Sequence, residues 1–158
     1  MKRIFLALLT LLATLAPAGA AENANSIPLD ADTALRNAKE MTLLSLRPYP
    51  EVKEGGFHGF KILGQTALAE KPQAAAEAAL REAFKNWDGL FAACFNPRHG
   101  IRVKSGDAVF DFVICFECQS VLVLKGEKRA GSFGITGNPG VLDALLKAAG
   151  IALPPAAK

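Results

Sequence analysis

Cysteine and histidine are scarce in this chain of 158 residues, with three of the former and two of the latter. All three thiols and one imidazole fall in two short segments, Cys94-Phe-Asn-Pro-Arg-His99-Gly and Cys115-Phe-Glu-Cys118. Cys-x-x-Cys is followed by Gln119 and not by histidine, which excludes covalent haem attachment. Long apolar runs are also missing. Ile4 to Ala16 is well short of the roughly 20 residues that span a bilayer, and no later segment is long and uncharged enough. No Walker lysine and no GxGxxG after a clear strand stand in the chain, and no interleaving of aromatic and basic residues points to nucleic acid.

What the N-terminus does contain is a leader pattern. Lys2 and Arg3 precede the apolar stretch, and Ala18-Gly19-Ala20 follows as a small-residue cleavage signature, so residues 1–20 are expected to be a secretory signal peptide. No cysteine lies near the cleavage site to take a lipid. The mature protein is therefore expected in the periplasm or outside the cell, with no membrane anchor. Lys plus Arg number 18 against 15 Asp plus Glu; loss of Lys2 and Arg3 leaves 16 against 15, so the basic balance belongs largely to the leader. Lys125, Lys128 and Arg129 around Gly126 read as a solvated turn. Nucleic acid is not an expected partner; a protein partner is compatible with the chain, but the sequence names none. Some 138 residues remain, enough for a hydrophobic core without disulfides.

The pattern predicts a flexible arm over 21–28, a single α+β domain over 29–152 and a frayed tail over 153–158. Asp30 or Asp32 is expected to cap a short helix through Lys39. Met41 to Arg47 and Phe57 to Leu68 read as paired strands. Pro72 opens the longest helix, whose stripe of Ala76, Leu80, Phe84, Trp87, Phe91 and Cys94 predicts that Cys94 sits on its core-facing side, near its end at Asn96-Pro97. Ile101 to Lys104 and Ala108 to Cys115 flank the turn Ser105-Gly106-Asp107. Ala108 to Leu124 is one β-prone run, but at about 3.3 Å per residue it would exceed 50 Å and must bend or break. Kept regular, it buries Cys118 and points Cys115 outward beside Glu117. The glycine-rich stretch Gly131 to Gly140 reads as loop. Asn138 and Pro139 start a last helix through Ala149, stopped by Gly150. Assembled, these elements predict an antiparallel sheet of about five strands with two main helices packed on one face.

The cysteine and histidine cluster supports three readings. In the first, Cys94, His99, Cys115 and Cys118 supply three thiolates and an imidazole to zinc or copper. Against it stand the β-like sequence around Cys115 and an oxidising compartment that competes for thiols. In the second, one disulfide staples the fold. An extended segment would hold the Cα atoms of Cys115 and Cys118 roughly 10 Å apart, beyond bridging reach, so Cys94 to Cys118 is the expected pair and Cys115 the odd thiol. Only a bulge or tight turn between Cys115 and Gln119 would bring those two together. The third reading, a cysteine nucleophile with His99 as base or a redox Cys-x-x-Cys, lacks an oxyanion donor and the helix N-terminus that lowers a thiol's pKa. Arg98 is expected to pair with Glu117 or to cap the carbonyls of the long helix. His58, among Gly55, Gly56, Phe57, Gly59 and Phe60, is a weaker ligand candidate in a bulged strand start.

Cys94-Phe-x-Pro97-Arg-His99-Gly-Ile-Arg102, then Phe112-Val-Ile-Cys115-Phe-Glu-Cys118, then Leu142-x-x-Leu145-Leu-Lys-x-Ala-Gly150 resembles a group of small, uncharacterised exported bacterial proteins. The resemblance implies a shared α+β domain whose cysteine segments lie together, and it carries no activity with it. The sequence thus predicts an exported, non-enzymatic α+β protein. Its distinctive site is either a Cys/His metal centre or the staple of an interaction module.

Overall fold

The computed structural model describes residues 27–49, 55–90 and 92–154. The expected leader, most of the N-terminal arm, Phe91 and the last four residues of the expected tail lie outside them. The described chain is α+β, with a single antiparallel sheet of six strands and three helices. In chain order the elements are α1 Leu29–Arg36, β1 Glu40–Arg47, β2 Lys61–Ala67, α2 Glu70–Lys85, β3 His99–Ser105, β4 Ala108–Cys115, β5 Ser120–Lys125, β6 Lys128–Gly134 and α3 Gly140–Ala148. The strands lie side by side in the order β2-β1-β3-β4-β5-β6, so β2 and β6 form the edges. The expected count of five strands is corrected to six by β6, and α1 stands beside the two main helices where the short helix was expected, ending at Arg36 and not at Lys39.

Alternation along the strands sorts side chains to two faces. Met41, Leu43, Ile101, Val103, Phe110, Phe112, Ile114, Val121 and Val123 point one way. There they meet Ala31, Ala34 and Leu35 of α1, Ala76, Leu80, Ala83 and Phe84 of α2, and Leu142 and Leu146 of α3 in one cluster. Leu80 and Phe112 are wholly buried, and truncating either to alanine should cost about 3 kcal/mol or more from lost transfer energy plus a cavity. On the opposite face Leu44, Leu46, Val113 and Leu124 lie under Phe57 and Phe60, with Phe95 packed against them. Gly100 makes this cover close: a Cβ there would stand 2.7 Å from the Phe57 ring.

Several elements differ from expectation for local reasons. Neither Asp30 nor Asp32 caps α1; Pro28 occupies the N-cap, and Asp32 pairs with Arg36 and Arg81. The long helix ends at Lys85, nine residues before Cys94, because Asn86 leaves the helical region and Gly89 takes φ +92°. Trp87 instead lies over Gly134 of β6. Cys94 is therefore an exposed loop residue and not a core-facing helical one. The long β-prone run does break, between Cys115 and Ser120. The start of α3 lies one residue beyond its signal: Pro139 takes the N-cap position, and the Asn138 side-chain oxygen accepts a hydrogen bond from the Gly140 amide at 2.9 Å. Gly150 follows at φ +71°.

Candidate functional site: a three-sulfur node

The turn from β4 to β5 builds the site. Cys115 and Ser120 are paired across the hairpin, and Phe116, Glu117, Cys118 and Gln119 close it. The Gln119 amide donates to the Phe116 carbonyl at 3.2 Å, and Gln119 itself adopts φ +51°. This reversal replaces the extended geometry assumed from sequence. It brings the Cα atoms of Cys115 and Cys118 to 5.2 Å, and the two are joined as a disulfide. The expected Cys94–Cys118 pairing is thus corrected, and Cys94 is the free thiol in place of Cys115. Cys115 does not point into solvent either. Both bridged residues are inaccessible, at 1% and 0% exposure, because the face carrying Cys115 has its own apolar cover.

The loop after α2 then returns over this turn. The Ala92 amide donates to the Cys118 carbonyl at 3.4 Å and the Asn96 amide to Cys118 Sγ at 3.2 Å. Between these anchors Cys94 Sγ lies 2.7 Å from Cys118 Sγ. The Cys118 amide donates to Cys115 Sγ at 3.1 Å. Three sulfurs therefore meet in one place, two bridged and buried and one unbridged and exposed. Asn96 Oδ1, in the same loop, is buried without a hydrogen-bond partner.

His99 does not join them in a ligand set. It begins β3 on the helix-facing side, with Ile101 and Val103, whereas Cys115 shares the opposite side with Asp111 and Val113. Its Nε2 is 2.9 Å from Asp143 Oδ1 of α3. Burial pushes the imidazole pKa below its usual value, against the raising effects of the Asp143 hydrogen bond and charge, with Arg98 lowering it further. Among the described residues no group of three or more His, Cys, Asp or Glu side chains is arranged to hold a metal ion. The proposed four-ligand zinc or copper set of Cys94, His99, Cys115 and Cys118 is not assembled. Arg98 does pair with Glu117, at 3.6 Å, one of its two expected roles.

Sequence reasoning missed two acidic partners. Asp143 meets His99 from the last helix. Asp111, 1% exposed, accepts Arg102 Nε and Nη2 at 2.8 and 2.7 Å and stands 2.6 Å from His58 Nε2. His58 is therefore a hydrogen-bond partner of Asp111 in a φ +51° turn, and the hydrogen bond with Asp111 raises the Arg102 pKa. A carboxylate inside the apolar run Phe110-Asp-Phe112, opposite Arg102 across a hairpin, was the available signal.

No helix among the described residues is long and apolar enough to cross a membrane. The chain matches no family model, no curated protein and no solved structure.

Proposed function

We propose that this is an exported α+β protein whose three-sulfur node carries out thiol–disulfide exchange, with Cys94 as the relay between solvent and a buried disulfide. The observation that carries this reading is the seating of the exposed Cys94 thiol against Cys118 while neither bridged sulfur residue is accessible. An external thiol has no direct route to the Cys115–Cys118 bond; it has one to Cys94. Exchange proceeds by thiolate attack on a disulfide sulfur. Cys94 Sγ, as thiolate, attacks Cys118 Sγ; the Cys94–Cys118 bond forms, the Cys115–Cys118 bond breaks, and Cys115 leaves as thiolate and takes up a proton. The isomerisation consumes no electrons and moves the disulfide to the exposed side. The Cys118 amide at Cys115 Sγ is placed to stabilise negative charge on the departing sulfur, while the Asn96 amide at Cys118 Sγ holds the sulfur under attack.

The leader pattern of residues 1–20 supports placement in an oxidising compartment, where such a bond persists. The partner is then a thiol or disulfide met there, and the metal reading becomes the competing outcome of the test. The protein is denatured in acid, alkylated and digested with trypsin, which cleaves after Lys85, Arg98, Lys104 and Lys125. Two bridged forms are expected: one internal to residues 105–125, and one joining residues 86–98 to residues 105–125. Cys94→Ser should leave only the internal form and slow its reduction by an external thiol at least tenfold. Equal reduction rates in the two proteins would overturn the relay. Three free thiols with stoichiometric zinc or copper in protein purified without chelators would overturn it in favour of a metal centre.

A further inference from the structure

The exposed side of the node opens on a cavity of about 360 Å³. Its walls include Cys94, Phe95, Ser120, Leu122, Arg129 and Ser132, drawn from the returning loop and strands β5 and β6. We propose that this cavity binds a low-molecular-weight thiol that carries a carboxylate, and that Arg129 recognises the carboxylate while the thiol reacts at Cys94. The inference rests on the exchange reading above and names its substrate class.

Three features of the walls define the ligand. The volume is at the small end of the range for small-molecule sites, which suits a thiol of few residues better than a folded protein's surface. Phe95 and Leu122 give an apolar side against which a short aliphatic thiol can lie. Arg129 is the sole charged side chain of the lining and makes no ion pair among the described residues. Its Nη2 donates to Ser132 Oγ at 2.6 Å, which holds the guanidinium at the cavity and leaves its other donors for a carboxylate.

The chemistry closes without a further reagent. With the bridge in its Cys94–Cys118 form, the ligand thiolate attacks Cys94 Sγ. A mixed disulfide between the ligand and Cys94 forms, and Cys118 is released as thiolate and protonated. A second ligand thiolate attacks the ligand sulfur of the mixed disulfide, which yields the ligand disulfide and frees Cys94. Two thiols are oxidised to one disulfide while one protein disulfide is reduced to two thiols, and the protons balance. The reverse direction reduces a small disulfide.

The test measures the rate of reduction of the oxidised full chain by 3-mercaptopropionate and by 2-mercaptoethanol, in the unmodified protein, Arg129→Gln and Cys94→Ser. Arg129→Gln should lower the 3-mercaptopropionate rate roughly fivefold relative to the 2-mercaptoethanol rate, the scale of a partly exposed ion pair. An equal effect on both thiols, or on neither, overturns carboxylate recognition; if both still require Cys94, the exchange reading survives it. Rates indifferent to Cys94 sink the exchange reading itself. An acidic ten-residue cysteine peptide that reacts faster than 3-mercaptopropionate, with the same dependence on Arg129, would overturn the small-thiol assignment in favour of a polypeptide substrate. Arg129 is exposed on an edge strand, and retention of the far-ultraviolet spectrum establishes that its variant folds.

Discussion

Cys115 and Ser120 face each other as Cα partners at the end of the β4–β5 hairpin, and this pairing decides the sulfur chemistry. It leaves four residues to reverse the chain, so Cys118 swings back over Cys115 instead of continuing along the strand. The disulfide encloses a very short loop, and its effect on the unfolded chain is correspondingly small. Loop-closure entropy gives about 2 kcal/mol for a ring of about four residues. Cys115→Ala with Cys118→Ala should therefore lower the unfolding free energy by about that amount and leave a folded protein. Urea unfolding of oxidised, reduced and doubly substituted protein checks this; loss of cooperative folding on reduction would contradict it.

Cys94 should behave differently from the pair it touches. It is exposed and unbridged, so Cys94→Ser should change stability by less than about 0.5 kcal/mol while abolishing alkylation of the native protein by iodoacetamide. Native-state alkylation followed by peptide mapping provides the readout. Modification at Cys115 or Cys118 in the Cys94→Ser protein would show that the buried bond is open to reagents without the relay.

Trp87 gives an optical report on the loop that carries Cys94. It is the one tryptophan of the chain, its indole covers Gly134, and its Nε1 donates to the Leu90 carbonyl at 2.8 Å. A Cβ at position 134 would land on the ring itself. Gly134→Ala must therefore displace the indole, at a cost of about 1 to 3 kcal/mol. A red-shifted emission maximum and faster Cys94 alkylation are expected together. Unchanged fluorescence with unchanged stability would place Trp87 elsewhere.

The contrast between Cys94 and Cys118 also shows how far residue patterns reach. The requirement that Ala108 to Leu124 break came from length alone, and the break falls between Cys115 and Ser120. Its sharpness was hidden, because neither glycine nor Asn-Gly marks that turn and Gln119 supplies the positive φ. The α2 stripe appeared to run through Trp87 to Cys94 because apolar spacing continues by coincidence past Asn86 and Gly89. Tertiary contact at Gly134 gives Trp87 a better place. Strand β6 was read as loop because Lys128 to Ser132 is an exposed edge with little apolar alternation. Its pairing with β5 is a backbone property that side chains barely announce. The separation of His99 from the sulfurs was hidden in the β3 register: His99 shares a face with Ile101, which parity places away from Cys115.

Asp111 offers a test of the opposite sheet face. Its two oxygens hold Arg102 in a bidentate pair and meet His58, while Phe57 and Phe60 exchange backbone hydrogen bonds at 2.8 and 3.1 Å across the same turn. Asp111→Asn keeps the shape and removes the charge. Because Arg102 is 46% exposed and can recover water, the expected loss is about 1 to 2 kcal/mol and not the larger cost of a fully buried pair. Amide exchange at Phe57 and Phe60 should accelerate, since His58 no longer pins the turn. A double-mutant cycle with Arg102→Gln should show coupling above about 0.5 kcal/mol; strict additivity would show that the pair contributes nothing.

His99 and Asp143 join β3 to α3 and give stability a dependence on pH. The imidazole is 2% exposed, and burial holds its pKa below the unfolded value of about 6.5. Below that value the unfolded chain takes up a proton more readily than the folded one, so stability falls as pH falls. The loss begins near pH 6.5 and continues until the folded imidazole itself protonates. Its slope cannot exceed about 1.4 kcal/mol per pH unit for this one group. Above pH 7 the contribution is constant. His99→Gln removes the titration, so the difference in unfolding free energy between the two proteins should shrink as pH drops from 7 toward 5. Asp143→Asn removes the carboxylate that favours the charged ring, so it should lower the His99 pKa further and extend the loss to lower pH, as ring-proton NMR titration can follow. A His99 pKa above 6.5 in the folded protein would reverse the sign and show that Asp143 outweighs burial.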